Sequence, residues 1–377
     1  MRNELCKRLG IEFPIFAFSH CRDVVAAVSR AGGLGVLGAV AFSPEQLETE
    51  LSWIDAHVDG RPYGVDTVIP AAYLGKAEGD LKKVDIEKLI PEQHRQFVDS
   101  LLKKHGVPEL PEGAEQTESL LGWSASSGRA HVEVAIRHPI KLIANALGPP
   151  PADVIKTAHD RGLVVAALCG SVEQALAQKQ AGVDIIIASG YEAGGHTGEI
   201  GSMVLIPQVV DAVAPLPVLA AGGIGSGRQM AAAMLLGAQG VWAGSIWLTT
   251  RESDCVPALV DKMLAATSRD TVRSKCISGK PARQLKTTYT AAWDGPESPG
   301  TLPMPLQFMA TANATQRINH HAQTKKAGSA ELLGTPVGQV VGQMNEVRAV
   351  KQVVQDMVTE YVDAVERVRE LLDEAAE

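Results

Sequence analysis

The stretch that decides the fold is 217-PVLAAGGIGSGRQMAAAMLLGAQGVWAGS-245. It contains a short apolar run, a glycine-rich turn, an alanine-rich segment with helical spacing, and a second apolar run that also ends at a glycine. An apolar run, a turn and an amphipathic segment in this order are typical of a parallel strand with its crossover helix. This stretch therefore predicts one strand–helix unit and the strand of the next.

The same pattern recurs along the chain and gives eight candidate strands, apolar on both faces, at residues 13–17, 34–37, 63–69, 140–144, 163–168, 183–188, 217–221 and 240–243. Helix-like segments lie between or after them at residues 23–31, 44–57, 152–161, 171–181, 207–214, 227–236 and 257–267. Eight such units close most naturally into a barrel. The sequence therefore predicts an α/β fold, a (β/α)₈ TIM-type barrel over residues 1–268.

Two additions to the barrel are expected. Residues 71–129 are charged and rich in Pro and Gly, with one helix predicted near residues 91–105. Such a connection is too long for a plain loop, so we interpret it as an insertion. It follows the third strand and should cover the active-site face. Residues 269–377 form a C-terminal lid and helical extension, whose last helix, at residues 345–376, packs on the barrel or on a partner subunit.

Charge and cysteine content argue against several classes of function. The net charge is −8 and the 35 Lys and Arg residues form no dense block, which argues against nucleic-acid and membrane partners. The 5 cysteines are scattered, and neither they nor the histidines have metal-ligand spacing, so no metal site is expected. The amino end lacks a secretory signal and no run is long enough to span a membrane, which predicts a cytoplasmic protein.

Glycines follow both of the last two predicted strands. Gly222 and Gly223 end the seventh strand, and Gly244 precedes Ser245 at the end of the eighth. Loops at these two places in a barrel commonly form a phosphate site with a helix N-terminus. The alternative is that the glycines only permit tight turns. A dinucleotide fingerprint is a weaker interpretation, because no acidic residue follows about 20 positions later.

A histidine flanked by glycines follows the sixth strand, in 188-ASGYEAGGHTG-198. His196 should face the catalytic end of the barrel, where an imidazole can exchange a proton near neutral pH. A histidine bonded to a backbone carbonyl within a turn is the alternative. His20, which follows the first strand, is a second candidate at the same face.

These motifs together resemble the nitronate monooxygenases, formerly called 2-nitropropane dioxygenases. The likeness extends to 26-AAVSRAGGLGVLGA-39, 278-SGKPARQL-285 and 303-PMPLQF-308, and it covers most of the chain outside residues 71–129 and the terminal helix. Flavin-dependent enoyl-acyl-carrier-protein reductases of similar architecture share the central motifs.

The resemblance implies FMN as the cofactor. It implies that the phosphate is bound by Gly222, Gly223, Gly244 and Ser245. It places the flavin ring near Ala17, Phe18, Ser19 and Asp66, in a cavity also lined by Gly194 and Gly195. His196 matches the catalytic histidine of the family.

The activity implied is oxidative denitrification of an alkyl nitronate or nitroalkane with dioxygen. A second hypothesis is an NAD(P)H-dependent flavin reductase acting on a quinone or an enoyl thioester. A third is a catalytically silent barrel that binds a phosphorylated ligand. The expected partners are small molecules, and a homodimer is compatible with the amphipathic terminal helix.

Two segments depart from the family pattern at the end of the site that holds the flavin ring. The first strand commonly reads Ala-Pro-Met, where this chain has Ala17-Phe18-Ser19, and the third reads Gly-Val-Asn, where this chain has Gly64-Val65-Asp66. An ionised Asp66 could only accept hydrogen bonds, and its charge would disfavour an anionic reduced flavin. FMN binding is therefore better supported than nitronate oxidation.

Overall fold

A computed structural model describes residues 2–69, 88–111, 125–323 and 327–374. Its centre is a closed barrel of parallel strands in the order β1-β2-β3-β4-β5-β6-β8-β9, which confirms the predicted fold class. The barrel strands are β1 (Ile15–Ser19), β2 (Leu34–Gly38), β3 (Tyr63–Thr67), β4 (Leu142–Asn145), β5 (Val164–Cys169), β6 (Ile185–Ser189), β8 (Val218–Ala221) and β9 (Gly240–Ala243); β7 (Gly195–His196) lies outside the barrel.

Helices follow the strands and cover the outside of the barrel. In chain order the described helices are α1 (Glu4–Leu9), α2 (Arg22–Arg30), α3 (Pro44–His57), α4 (Glu92–Lys104), α5 (Ala125–Ala135), α6 (Ala152–Asp160), α7 (Val172–Ala181), α8 (Ser202–Val213), α9 (Gly227–Leu235), α10 (Pro257–Ala265), α11 (Thr288–Trp293), α12 (Leu306–Gln323), α13 (Ala327–Leu332) and α14 (Val350–Glu374). Short 3₁₀ turns occupy Ala39–Ala41, Ser245–Thr249 and Gln339–Gln343.

Several strands begin one or two residues later than the apolar runs predict. At β1 the cause is visible, because the backbone N–H groups of Glu12 and Phe13 both donate to the Gly32 carbonyl instead of to a neighbouring strand. The predicted start of α8 is wrong by five residues, because the helix begins at Ser202 and the prediction began it at Pro207. The proline suggested a helix start, but it lies inside the helix.

The barrel interior and the layer between strands and helices are separate apolar cores. Alternation along each strand assigns side chains to one or the other. On β3, Tyr63 and Val65 belong to the outer core, so Gly64 and Asp66 face the interior. Asp66 is thereby placed at the carboxyl end of the barrel interior.

The described part of the predicted insertion packs against the C-terminal extension. Arg317 on α12 donates hydrogen bonds to the carbonyls of Val107 and Pro108, both at 2.8 Å. Helix α5 begins inside the range predicted for the insertion and joins the barrel layer. Residues 70–87 and 112–124 lie outside the described residues, so a position of the insertion over the active-site face stays a prediction.

The extension also adds a small antiparallel sheet, β10-β11-β7, with β10 at Thr271–Ser274 and β11 at Ala282–Leu285. In this sheet Ala282 pairs with His196 and Arg283 with Gly195. The sheet joins the extension to the loop after β6. Within the described segments, no helix combines the length and the apolar character that crossing a membrane requires.

Candidate active site

A cavity of about 450 Å³ opens at the carboxyl end of the barrel, a size typical of small-molecule and cofactor sites. Except for Ala17, every site residue predicted from the sequence lines it: Phe18, Ser19, Asp66, Gly194, Gly195, His196, Gly222, Gly223, Gly244 and Ser245. Ala17 is fully buried in the core between the strands and the helices. The structure thus brings together residues from five separate places along the chain, on or after β1, β3, β6, β8 and β9.

The two glycine turns lie side by side. Ala221 on β8 pairs with Trp242 on β9, so the residues that follow each strand emerge next to each other. Among the described residues, no hydrogen bond is formed by the backbone N–H groups of Gly222, Gly223, Gly244 or Ser245. Unbonded N–H groups at the mouth of a cavity are suited to an anion.

The helix after the first turn adds to this anion site. Ser226 caps α9 by accepting a hydrogen bond from the Gln229 backbone N–H at 3.3 Å, and the Gln229 side chain accepts one from the Gly225 N–H at 2.8 Å. These bonds fix the turn against the helix N-terminus, whose partial positive charge favours an anion. Gly223 has a φ of +69°, a conformation that glycine adopts without strain.

Ser245 connects the second turn to the extension. Its Oγ accepts a hydrogen bond from the Gly338 N–H at 2.9 Å. The hydroxyl proton is not used in that bond, so it can be donated to a ligand in the cavity.

His196 lies on β7, and its Nε2 is 2.6 Å from Oγ of Ser278, a fully buried residue of the extension. Burial, and to a smaller extent the nearby Lys280 charge, lowers the pKa of His196 to about 4. The imidazole is therefore neutral at physiological pH. Ser278 itself accepts a hydrogen bond from the Lys280 backbone N–H, which fixes the hydroxyl beside the ring.

Asp66 corrects one expectation from the sequence. Its carboxyl is buried at the cavity wall, and burial raises its pKa to about 8. At neutral pH the group is therefore mostly uncharged, and the negative charge expected beside the ligand is largely absent. A protonated carboxyl can donate one hydrogen bond, which a carboxylate cannot.

His20 also lines the cavity. Its Nδ1 donates to the Gly38 carbonyl at 2.9 Å, and its ring meets Phe18 edge-on with centroids 5.1 Å apart. Burial lowers the pKa of His20, so this imidazole is neutral too. The bond to Gly38 leaves Nε2 as the nitrogen able to accept a hydrogen bond.

Among the lining residues that the sequence prediction missed, two groups follow the last barrel strand. One comes from the segment after β9 and comprises Leu248, Ser253, Asp254 and Cys255. The other comes from the extension and comprises Ile277, Ala282, Thr335, Pro336 and Val340, together with Ser278 behind His196. Ser278 and Ala282 belong to the motif SGKPARQL. This motif supports the family resemblance, but the sequence analysis does not predict that it lies at the site. In the described part of the chain no group of three or more His, Cys, Asp or Glu side chains could hold a metal ion.

Comparisons with known proteins agree with this architecture. A model of the nitronate monooxygenase family matches residues 2–360. Rv1533 of Mycobacterium tuberculosis, a provisionally named monooxygenase, is 52% identical over 375 residues, which are 99% of this chain and 100% of that protein. A provisionally named nitronate monooxygenase of Staphylococcus aureus is 28% identical over 375 residues, covering 93% of this chain and 99% of the relative.

Solved structures give the same answer for the fold. FabK from Thermotoga maritima is 28% identical, with a TM-score of 0.70, over 98% of this chain and 99% of that one. A nitroalkane oxidase from Streptomyces ansochromogenes has a TM-score of 0.78 at 24% identity, over 97% of this chain and 100% of that one, and it shows a shared fold. Together with the family match over most of its length, these findings establish that the chain is an oxidoreductase belonging to the nitronate monooxygenase family.

Proposed function

We propose that the cavity binds FMN and that the enzyme oxidises an alkyl nitronate with dioxygen. The observation that carries this proposal is the pair of adjacent turns whose backbone N–H groups have no hydrogen-bond partner in the described structure. Gly222, Gly223, Gly244 and Ser245 would hold the phosphate, and Phe18, Ser19 and Asp66 would face the ring. When bound, the flavin would supply the redox chemistry, accepting electrons from the substrate and passing them to dioxygen.

His196 would act on the substrate from the extension side of the cavity. A neutral imidazole can donate one N–H to the oxygens of a nitronate, and it can accept the carbon-bound proton of a neutral nitroalkane. The low pKa of His196, about 4, makes it a weak base in the free protein and favours the preformed anion as substrate. Positive charge from Lys280, which contributes to lowering that pKa, also attracts an anion.

Anaerobic reduction of the bound flavin tests this function. The purified protein should be yellow, and denaturation should release FMN. Mixing with propyl-2-nitronate without oxygen should reduce the flavin, and adding air should restore its colour. Protein that binds no flavin after reconstitution with FMN would contradict the proposal at its first step.

A second candidate is an NAD(P)H-dependent flavin reductase acting on a quinone or an enoyl thioester. The likeness to FabK, an enoyl reductase, over nearly the whole chain favours it, as does a cavity wall containing Leu147, Leu168 and Leu248. Mixing with NADH under the same anaerobic conditions separates the two candidates. Reduction by NADH but not by the nitronate would replace the first candidate by the second.

Two further expectations from the sequence stay proposals. A cytoplasmic location is supported by five free cysteines, since thiols persist in a reducing compartment. A homodimer is supported by apolar side chains exposed on the second half of α14, such as Val365, Leu371 and Leu372. Subcellular fractionation and light scattering would test them.

A further inference from the structure

Asp66 occupies an unusual position for a carboxyl group. It faces the barrel interior at the end of β3, beside Gly38 of β2 and Ala144 of β4 in the register of the sheet. Apart from Ser189 at the end of β6, the interior side chains around the barrel are apolar, including Leu168 and Trp242, which line the same cavity. Asp66 is therefore a polar group surrounded mainly by apolar side chains of the barrel interior.

The carboxyl has no partner that would stabilise its charge. Its Oδ1 is buried and forms no hydrogen bond with any described residue. No described Lys, Arg or His lies within ion-pair distance of it. An unpaired buried carboxylate is strongly disfavoured relative to the neutral acid. Desolvation accordingly raises the pKa of Asp66 to about 8, and no neighbouring charge contributes to the shift.

Charged groups on the surrounding elements do not alter this environment. The residues beside Asp66 on the neighbouring strands are Gly38 and Ala144, which carry no charge. The helices that contact β3 pack on its outer face, so the strand separates their charges from the Asp66 side chain. The charged or titratable side chains on those helices are Arg22, Asp23 and Arg30 of α2 and Arg129, His131 and Glu133 of α5. The other titratable groups that line the cavity are His20, Cys21, His196, Asp254 and Cys255.

We propose that Asp66 is a neutral carboxylic acid and donates a hydrogen bond to an acceptor atom of the flavin ring that the cavity would bind. This inference rests on the proposed binding of FMN, whose ring carries carbonyl oxygens and a ring nitrogen as acceptors. In this arrangement the carboxyl proton of Asp66 forms a hydrogen bond that stabilises the bound cofactor. Ionisation of Asp66 removes the donor and places a negative charge beside the same acceptors.

The affinity for FMN as a function of pH tests the inference. Apoprotein is titrated with FMN between pH 6 and pH 9.5 for the wild type, Asp66→Asn and Asp66→Leu. The wild-type affinity should fall about tenfold between pH 7 and pH 9, since only the protonated protein binds well. Asp66→Asn keeps a donor that does not titrate, so its affinity should be close to that of the wild type at pH 7 and change little with pH. Asp66→Leu should bind more weakly at pH 7 and show no such dependence.

A second measurement does not need the flavin. Infrared difference spectroscopy of the apoprotein should show the carbonyl band of a protonated carboxyl at pH 6, lost by pH 9.5 and absent from Asp66→Asn. Absence of this band in the wild type overturns the inference, and so does a wild-type affinity for FMN that is as flat with pH as that of Asp66→Asn. Failure of all three proteins to bind FMN, with the infrared band present, would instead overturn the proposed function and the donor role toward flavin with it.

Discussion

At His196, burial and the Lys280 charge both disfavour the protonated ring, while Ser278 fixes one ring nitrogen. The ring is consequently available in its neutral form over the whole physiological pH range. Neutral imidazole serves a nitronate as a donor and a nitroalkane as a base, and these two roles differ in how much a substitution costs.

Replacement of His196 by Asn separates the two roles. An amide can still donate to a nitronate but cannot accept a proton from carbon. The kcat/KM for 2-nitropropane should fall about 100-fold, within the usual range for loss of a general base, and that for propyl-2-nitronate only a few-fold. Steady-state oxygen consumption with each substrate measures both. Equal losses on the two substrates would remove proton abstraction from the role of His196.

Ser278 is expected to act as a positioning residue. Ser278→Ala removes the 2.6 Å contact with Nε2 and should lower kcat about tenfold, the equivalent of one hydrogen bond, while KM changes less than twofold. Ser274→Ala is the matched control, because Ser274 is also buried but its hydroxyl donates to Asp294. A kcat loss as large in the control would indicate a general effect of the small sheet.

Gly223 and Gly60 have nearly the same backbone conformation, with φ of +69° and +67°, but only Gly223 lines the cavity. Replacing either by Ala should cost about 1 kcal/mol of stability through left-handed strain. Gly223→Ala should also weaken FMN binding at least tenfold, because its methyl lies 3.0 Å from Cγ of Glu192 and shifts the turn. Fluorescence titration with FMN should show no change for Gly60→Ala.

Between elements, the contact of α14 with α9 depends on Gly227. A Cβ there would lie 2.0 Å from the Met357 carbonyl oxygen and 2.4 Å from the Tyr361 nitrogen. Gly227→Ala should therefore push α14 away and lower the free energy of unfolding by about 2–3 kcal/mol. At Gly201, the N-cap of α8, a Cβ meets nothing within 4 Å, so Gly201→Ala should cost less than half as much. Chemical denaturation would compare the two variants.

The barrel could be predicted from the sequence because each feature that indicates it lies within a few consecutive residues. Each strand is a short apolar run, and the turns of the anion site lie within a few residues of Gly222 and Gly244. The hydrogen-bond partner of His196 could not be predicted, because Ser278 is 82 positions away in the sequence and their contact depends on the pairing of β7 with β11. The protonation of Asp66 was misjudged because burial, which the sequence does not reveal, decides it.

At the scale of the whole molecule, Asp66 should affect stability as well as binding. Its pKa is about 8 when folded and near 3.8 when unfolded, so between these values the folded state retains a proton that the unfolded state has lost. Stability therefore falls as pH rises through this window. His196 acts in the opposite direction, but only between its folded pKa of about 4 and its unfolded value near 6.5.

The window above pH 6.5 isolates the effect of Asp66. Between pH 6.5 and pH 8 the flavin-free wild type should lose about 1–2 kcal/mol relative to Asp66→Asn. Denaturant unfolding at the two pH values measures this difference. Parallel pH dependence in the two proteins would mean that the folded and unfolded states hold this carboxyl in the same protonation state.

The two-residue strand β7 lies at the edge of its sheet, paired with β11, whereas the anion site is built on strands paired on both sides within the closed barrel. Edge pairings of this length open at a smaller free-energy cost than the core of a barrel. On gradual warming, turnover is therefore expected to disappear while the yellow colour is still retained, and cooling should restore it. Moderate heating would therefore give a folded barrel that still binds flavin but has lost its activity.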